Sequence, residues 1–382
     1  MEPIVIIGTG QAGYTLAREF RKLDSERPLT LITEDNGANY YKPNLSKAFA
    51  AGKTPPELVM NPREAMEEQL AATILANTRV NALDAGSRRL QLEDRELSYH
   101  RLVLAVGADA LLLPVSGGEK IPTVNSLDDY ERFRAGLVSG CEVVVIGAGL
   151  IGCEFANDLA AAGYQVTVVD QESWPLARLA PREVGEAIKA GLSGLSVRWH
   201  FDARIESVDA DGKQVRLADG TELRADAVLC AIGQRPRARL AEEAGLEVGI
   251  GIRVDEHLRT SDPNIFALGD CAEIDGRVRP FVLPITHSAR ALAKTLAGTD
   301  TAVSFPPMPI VVKTPACPTV VLPAEVPHSE GWWRVTGEGT DLEALYRDAE
   351  GRLHGFALTG AATAKRMELA KAIGSILDAA GA

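Results

Sequence analysis

Two segments of this chain repeat one arrangement of apolar and polar positions. Ile4 to Ile7 is an unbroken apolar run, and so is Val143 to Ile146. Such a run suits a strand buried on both faces, as in a parallel sheet covered by helices. Each run leads into glycines spaced G-x-G-x-x-G: Gly8, Gly10 and Gly13 in the first copy, Gly147, Gly149 and Gly152 in the second. Helical patterning follows, near 12–22 and 151–162, and then a second apolar strand ending in an acid. LTLITE closes on Glu34, 21 residues after Gly13, and YQVTVVD closes on Asp170, 18 residues after Gly152. Further apolar runs predict strands in LVLAVGA (102–108), VLCAIGQRP (228–236) and Ile265 to Leu268. PITHSARALAKTLAG (284–298) predicts a helix from about residue 287 with Gly298 as its stop.

The pattern changes at about residue 306. Pro306, Pro307, Pro309, Pro315, Pro318 and Pro323 divide short apolar runs, which predicts irregular edge strands. Short strands follow in the segment that begins GWWRVTG, with a hairpin turn at Glu350-Gly351. Of Trp332 and Trp333, one ring is expected in the small domain's core and the other at the surface. A last helix is expected from about 362 to 380.

Each repeat has the parts of a dinucleotide cradle. The first glycine makes the tight turn, the second lets the backbone approach a pyrophosphate, and the third lets helix and strand pack closely. The helix start offers free N–H groups and a positive dipole end to the phosphates. An acid at the end of the next strand suits ribose hydroxyls. A lone glycine motif is weak evidence; here strand, helix and acid accompany both copies. Two cradles imply two dinucleotides with electrons passing between them. Around the second cradle Asp170 and Glu172 would repel a 2′-phosphate, and the first following arginine is Arg178. This favours NADH over NADPH.

Composition narrows the partners. The 382 residues allow two or three domains. With 40 Lys and Arg against 52 Asp and Glu, the net charge of −12 disfavours nucleic acid and anionic lipid. The apolar runs fall short of the roughly 20 residues that span a bilayer, and an acidic residue followed by a strand is not a secretory leader. A cytoplasmic protein, monomer or homodimer, is the expectation. Cys141, Cys153, Cys230, Cys271 and Cys317 are dispersed, with no C-x-x-C or C-x-x-x-x-C. A metal site, a disulfide framework and a local redox dithiol are all disfavoured.

Later motifs carry a resemblance. TSDPNIFALGDCAEI (260–274), with Asp270 after Gly269, resembles the second flavin fingerprint of the pyridine-nucleotide-disulfide-reductase-like flavoproteins. LVLAVGA and VLCAIGQRP resemble that family's two crossovers. YYKPNLSKAF (40–49), GLIGCEFANDL and KTPACP resemble its ferredoxin-reductase-like and rubredoxin-reductase-like branch, most closely the latter. The resemblance implies an α/β fold of the glutathione-reductase type. Two Rossmann-like dinucleotide-binding domains are expected, the NAD domain (110–232) inserted into the FAD domain (1–109 and 233–305), followed by a small C-terminal α+β interface domain (306–382).

The same resemblance assigns the cofactors, FAD to the first cradle and NADH to the second. It implies FAD contacts from Gly8, Gly10, Gln11, Ala12, Gly13, Glu34, Lys42, Pro43, Val80, Ala105, Gly107, Asp270, His287 and Lys313, and NAD contacts from Gly147, Gly149, Leu150, Ile151, Gly152, Asp170 and Gly233. Lys42 is expected near the flavin ring, where its charge favours the reduced form. Glu154, placed in the first turn of the NAD helix, reads in two ways: a charge favourable to the helix start, or a carboxylate near the nicotinamide and Lys42. The helix after Pro284 is expected to aim backbone N–H groups at the flavin, so His287 need not be catalytic. Relatives that exchange disulfides need close cysteines, and here Cys153 and Cys271 read as buried packing residues. The implied activity passes electrons from NADH through FAD to rubredoxin, for example for alkane hydroxylation or oxidative-stress defence. A ferredoxin reductase of an oxygenase system and a flavin-based NADH sensor are the alternatives.

Overall fold

The structure is a computed structural model and describes residues 2–324, 331–374 and 376–377. The first unit begins with β1 (Ile4–Ile7), α1 (Gln11–Arg21), β2 (Leu29–Ile32), β3 (Thr73–Leu75) and β4 (Arg101–Leu104). A short strand, β5 (Ala108–Ala110), leads out of it. The second unit holds β6 (Glu142–Ile146), α2 (Leu150–Ala161), β7 (Gln165–Val169), α3 (Arg182–Ser193), β8 (Arg198–His200) and β9 (Ala227–Cys230). The chain returns through β10 (Gln234–Pro236), which pairs antiparallel with β5. Then β11 (Ile265–Ala267) joins the first sheet, whose order is β11-β4-β1-β2-β3. The second sheet runs β8-β7-β6-β9. The pairings within both sheets are parallel. Every residue of β1 is buried, as its apolar run requires.

A long helix, α4 (Val282–Leu296), packs against α1 in the first unit. It begins five residues before the predicted start at 287. Phe281 is extended and ends the preceding loop, and Pro284 sits in the first turn, where a helix has no use for its missing N–H. His287 therefore lies in the second turn rather than at the tip.

The C-terminal unit is a five-stranded antiparallel sheet. Its strands are β12 (Ile310–Val312), β13 (Thr319–Leu322), β14 (Gly331–Glu338), β15 (Asp341–Asp348) and β16 (Leu353–Thr359), in the order β12-β13-β16-β15-β14. β13 is an inner strand with all four residues buried, not the predicted edge strand. Pro318 and Pro323 flank it without entering it, so its donors remain available to the ladder. The tryptophans divide as expected on adjacent positions of one strand: Trp332 is 52% exposed, and Trp333 meets Tyr346 edge-on at 5.3 Å. The hairpin at Glu350-Gly351 is present, with Gly351 at φ +79°. The expected final helix is shorter: a 3₁₀ turn, Gly360–Lys365, runs into α5 (Arg366–Ala372). Leu377 instead bridges Phe305 as a strand would, and 378–380 lie outside the described residues.

One buried apolar cluster joins all three units. It includes Leu45 and Phe49 from the first, Val145 and Leu159 from the second, and Val312, Cys317 and Ala344 from the third. Among the described residues, no helix is long and apolar enough to cross a membrane.

Candidate active site

The two glycine turns are superimposable in their chemistry. Gly8 has φ +111°, and a Cβ there would lie 2.2 Å from the Ala105 carbonyl oxygen. Gly147 has φ +103°, and its Cβ would lie 2.6 Å from the Ala231 oxygen. A Cβ on Gly13 or Gly152 would lie 1.9 Å from the oxygen of the first glycine in its own motif. These four positions are closed to any side chain. At the middle glycines, Gly10 and Gly149, an added Cβ would meet nothing within 4 Å. The space above them is open, where a pyrophosphate needs backbone access.

The helix starts fit the same use. Neither α1 nor α2 has a side-chain cap or an acid in its first turn. Their leading N–H groups therefore stay available, and no carboxylate opposes a phosphate there. Gly8 N–H donates to Ile32 O at 2.7 Å, and Gly147 N–H to Val169 O at 2.8 Å. By this register Asp170 corresponds to Thr33, one residue before Glu34. The two acids are thus offset, although both close their strands. Glu34 is exposed and pairs with Arg79, Oε1 to Nε at 2.9 Å. Val80 follows that arginine in sequence. Asp170 accepts hydrogen bonds from Ala148 N–H and, at 2.9 Å, from Glu172 N–H.

Around the first cradle, Gly269 brings Asp270 against the start of α1: a Cβ on Gly269 would lie 2.8 Å from Ala12 Cβ. Asp270 and Lys42 are electrostatic neighbours. Burial pushes the Asp270 carboxyl up while Lys42 draws it down. Burial likewise pushes the Lys42 ammonium down while Asp270 supports it. Lys42 and Pro43 open a 3₁₀ segment, Lys42–Lys47. Three residues earlier, the buried Asn39 keeps its Nδ2 without a partner among the described residues, a donor available to a bound group. Gln11 and Ala12 lie in the first turn of α1. Gly107 and Gly233, at φ +73° and +123°, lie beside the β5–β10 crossover. Leu150 and Ile151 open α2, with Ile151 exposed. Burial and Arg290 lower the His287 imidazole, so it favours its neutral form.

Glu154 departs from its expected place. It is the fifth residue of α2, beyond the first turn, and it is buried. Its Oε2 lies 2.5 Å from Lys313 Nζ and accepts from Ser46 Oγ at 2.6 Å. Its Oε1 accepts from Lys313 N–H at 3.1 Å. Among the described residues its bonded lysine is Lys313, not Lys42. The same helix face carries two more buried polar residues. Asn157 Oδ1 accepts from Ala316 N–H at 3.0 Å. Asp158 accepts from Phe49 N–H at 2.8 Å and Ala50 N–H at 3.0 Å. Burial raises the Asp158 carboxyl, against the pull of those two N–H groups.

Helix α2 therefore presents an open N-terminus to one cradle and, through positions 154, 157 and 158, is bonded to the K-P segment and to KTPACP. Ser46, Asn157 and Asp158 escaped sequence reasoning. A signal was present: three polar residues at i, i+3 and i+4 share one face of an otherwise apolar helix. Arg79 had no such signal.

Comparison with known proteins places this geometry. Residues 2–293 match the family described as pyridine nucleotide-disulphide oxidoreductase, and residues 302–373 match a rubredoxin binding C-terminal domain. The chain is 47% identical to a rubredoxin-NAD(+) reductase of Alcanivorax borkumensis, over 99% of this chain and 100% of that one. It is 39% identical to a nitric oxide reductase FlRd-NAD(+) reductase of Vibrio vulnificus, over 94% of each. A putidaredoxin reductase, solved as a covalent complex with putidaredoxin, superposes with a TM-score of 0.88 at 27% identity, covering 97% of this chain and 93% of that one. The chain belongs to the pyridine nucleotide-disulphide oxidoreductase family.

Proposed function

We propose that this chain is an NADH-dependent FAD oxidoreductase that passes single electrons to rubredoxin in the cytoplasm. The observation that carries the reading is the seam at Glu154. The helix that opens the second cradle is bonded there to Lys313, inside the segment that matches a rubredoxin-binding domain. Bound FAD supplies a ring that accepts a hydride and releases electrons one at a time.

The residues divide the work. Gly8, Gly10 and Gly13 with the start of α1 would hold the FAD pyrophosphate, and Gly147, Gly149 and Gly152 with the start of α2 that of NADH. Glu34 and Asp170 would bind the hydroxyls of the two adenosine riboses. Lys42 sets a positive charge beside Asp270, at the first cradle. Glu154 holds the KTPACP segment against α2 as a positioning residue.

A thiol relay has no support in this geometry. All five cysteines are free thiols. Burial pushes the Cys271 thiol up to about 11, and raises Cys153 further. Both stay protonated near neutrality and are poor nucleophiles.

Anaerobic stopped-flow mixing tests the reading. NADH should bleach the oxidised flavin absorbance, and a rubredoxin should restore it faster than a [2Fe–2S] ferredoxin does. Faster restoration by the ferredoxin would transfer the assignment to ferredoxin reduction. Restoration by neither would favour an NADH sensor.

A further inference from the structure

The chain crosses between the two cradle units twice, through one narrow ribbon. β5 carries it out and β10 carries it back, with Ala108 opposite Pro236, Asp109 opposite Arg235 and Ala110 opposite Gln234. The ladder runs one step further at each end. Arg237 N–H donates to the Gly107 oxygen at 3.0 Å, and Leu111 N–H to the Gly233 oxygen at 2.9 Å. Both bonds fall on odd-numbered residues, so Pro236 stands where the ladder asks for no N–H. Gly107 at φ +73° and Gly233 at φ +123° bend the chain at opposite ends of the ribbon. Units joined this way are free to swing unless something else fixes them. The apolar cluster they share holds them together, but apolar contact has no direction. An angle is set by hydrogen bonds.

Asn125 supplies them. It belongs to the second unit and lies just before a short helix, Leu127–Ala135. Its Nδ2 donates to the Ala108 oxygen at 2.9 Å, and its Oδ1 accepts from Gln234 Nε2 at 2.8 Å. One side-chain amide thus spans both strands of the ribbon. Its backbone is pinned in turn. Asn125 N–H donates to Asp129 Oδ2 at 3.1 Å, and Asp129 N–H donates to Ser126 Oγ at 3.1 Å. The same helix start reaches the first unit, where Leu127 N–H donates to Tyr40 Oη at 3.2 Å. Tyr40 stands two residues before Lys42. Asp109 and Arg237 of the ribbon region and Asp129 of the helix all bear on the Lys42 ammonium. Ribbon, helix start and K-P segment therefore form one bonded frame between the cradles.

We propose that Asn125 is a positioning residue for hydride transfer: by clipping the ribbon to the helix start that holds Tyr40, it fixes the angle at which the second cradle presents its dinucleotide to the first. The inference rests on the reading that a hydride passes between the two cradles. It assigns the alignment to a residue outside both glycine motifs and outside the K-P segment.

The test compares the FAD-loaded wild type with Asn125→Ala and Gln234→Ala. Hydrogen–deuterium exchange reads the ribbon itself: the Leu111 and Arg237 amides should exchange faster in Asn125→Ala. Anaerobic stopped-flow reduction by NADH gives the limiting rate constant and the Kd, and NADH deuterated at C4 gives the isotope effect on the same step. Reoxidation of the dithionite-reduced protein by a rubredoxin is each variant's internal reference. Asn125→Ala should lower the limiting reduction rate by roughly 10-fold, with Kd and reoxidation each within about twofold of wild type and an isotope effect at least as large. Gln234→Ala keeps the bond to Ala108 and should lose less in the same step, roughly threefold. It decides the matter where Asn125→Ala does not retain FAD, and a wild-type reduction rate in it then overturns the inference. Unchanged reduction or unchanged ribbon exchange in Asn125→Ala, or an equal loss in both half-reactions, overturns the inference and leaves the NADH reading intact. A wild-type flavin that NADH does not reduce overturns both.

Discussion

Lys42 keeps a charge in a place that disfavours it. Burial lowers its ammonium from the ordinary lysine range, and the Asp270 carboxylate is the neighbour that most favours the charged form. An ordinary surface lysine is solvated and bears no such cost. The cost is understandable if the charge acts on the flavin, because a nearby cation stabilises the electron-rich reduced form. Lys42→Met should therefore shift the bound flavin's two-electron midpoint potential negative. A unit charge a few ångströms away at an effective dielectric near 20 supplies about 1–3 kcal/mol, or roughly 20–60 mV for two electrons. Xanthine oxidase–coupled reduction against a reference dye measures the shift. An unchanged potential would reduce Lys42 to a packing residue. Lys42→Arg should retain most of the wild-type value, since it keeps the charge.

Helix α2 is the element on which the three units meet. Its buried Asp158 satisfies two backbone N–H groups of the turn after the K-P segment. Asp158→Ala would leave both donors unsatisfied, at about 1–3 kcal/mol each if no water replaces the carboxylate. Asp158→Asn keeps an acceptor oxygen and should cost less. Urea unfolding at neutral pH should rank the stabilities wild type, Asn, Ala; equal losses would mean that the turn finds other acceptors. The cradles at this helix and at α1 were legible in the sequence because their constraints are local. Each glycine answers to a contact within its own strand–turn–helix unit or its neighbouring strand. The Glu154–Lys313 pair was not legible, because its members lie 159 residues apart and meet only after a third unit docks. Proline misled the local reading in two places. Pro284 read as the border of a helix it lies inside, and Pro318 and Pro323 read as breakers of a strand they only bracket.

At the scale of the whole molecule, charge and docking oppose each other. The chain carries −12, so an acidic rubredoxin would approach it against charge repulsion. Long-range steering should slow their encounter, and salt should relieve that repulsion over a Debye length of about 10 Å at 0.1 M. Contact must then come from local features. Val311 and Leu283 are exposed apolar residues, one on β12 two positions before Lys313, the other in the first turn of α4. The second-order rate constant for rubredoxin reduction should rise as salt increases from 10 to 300 mM, by about two- to fivefold. A steep fall would instead reveal a basic docking patch strong enough to override the net charge. Val311→Asp distinguishes the two accounts at one position. With apolar contact it should slow reduction at every salt concentration, because it desolvates a charge. With a basic patch it should slow reduction mainly at low salt, where the added negative charge weakens the attraction, and the loss should fade as salt rises.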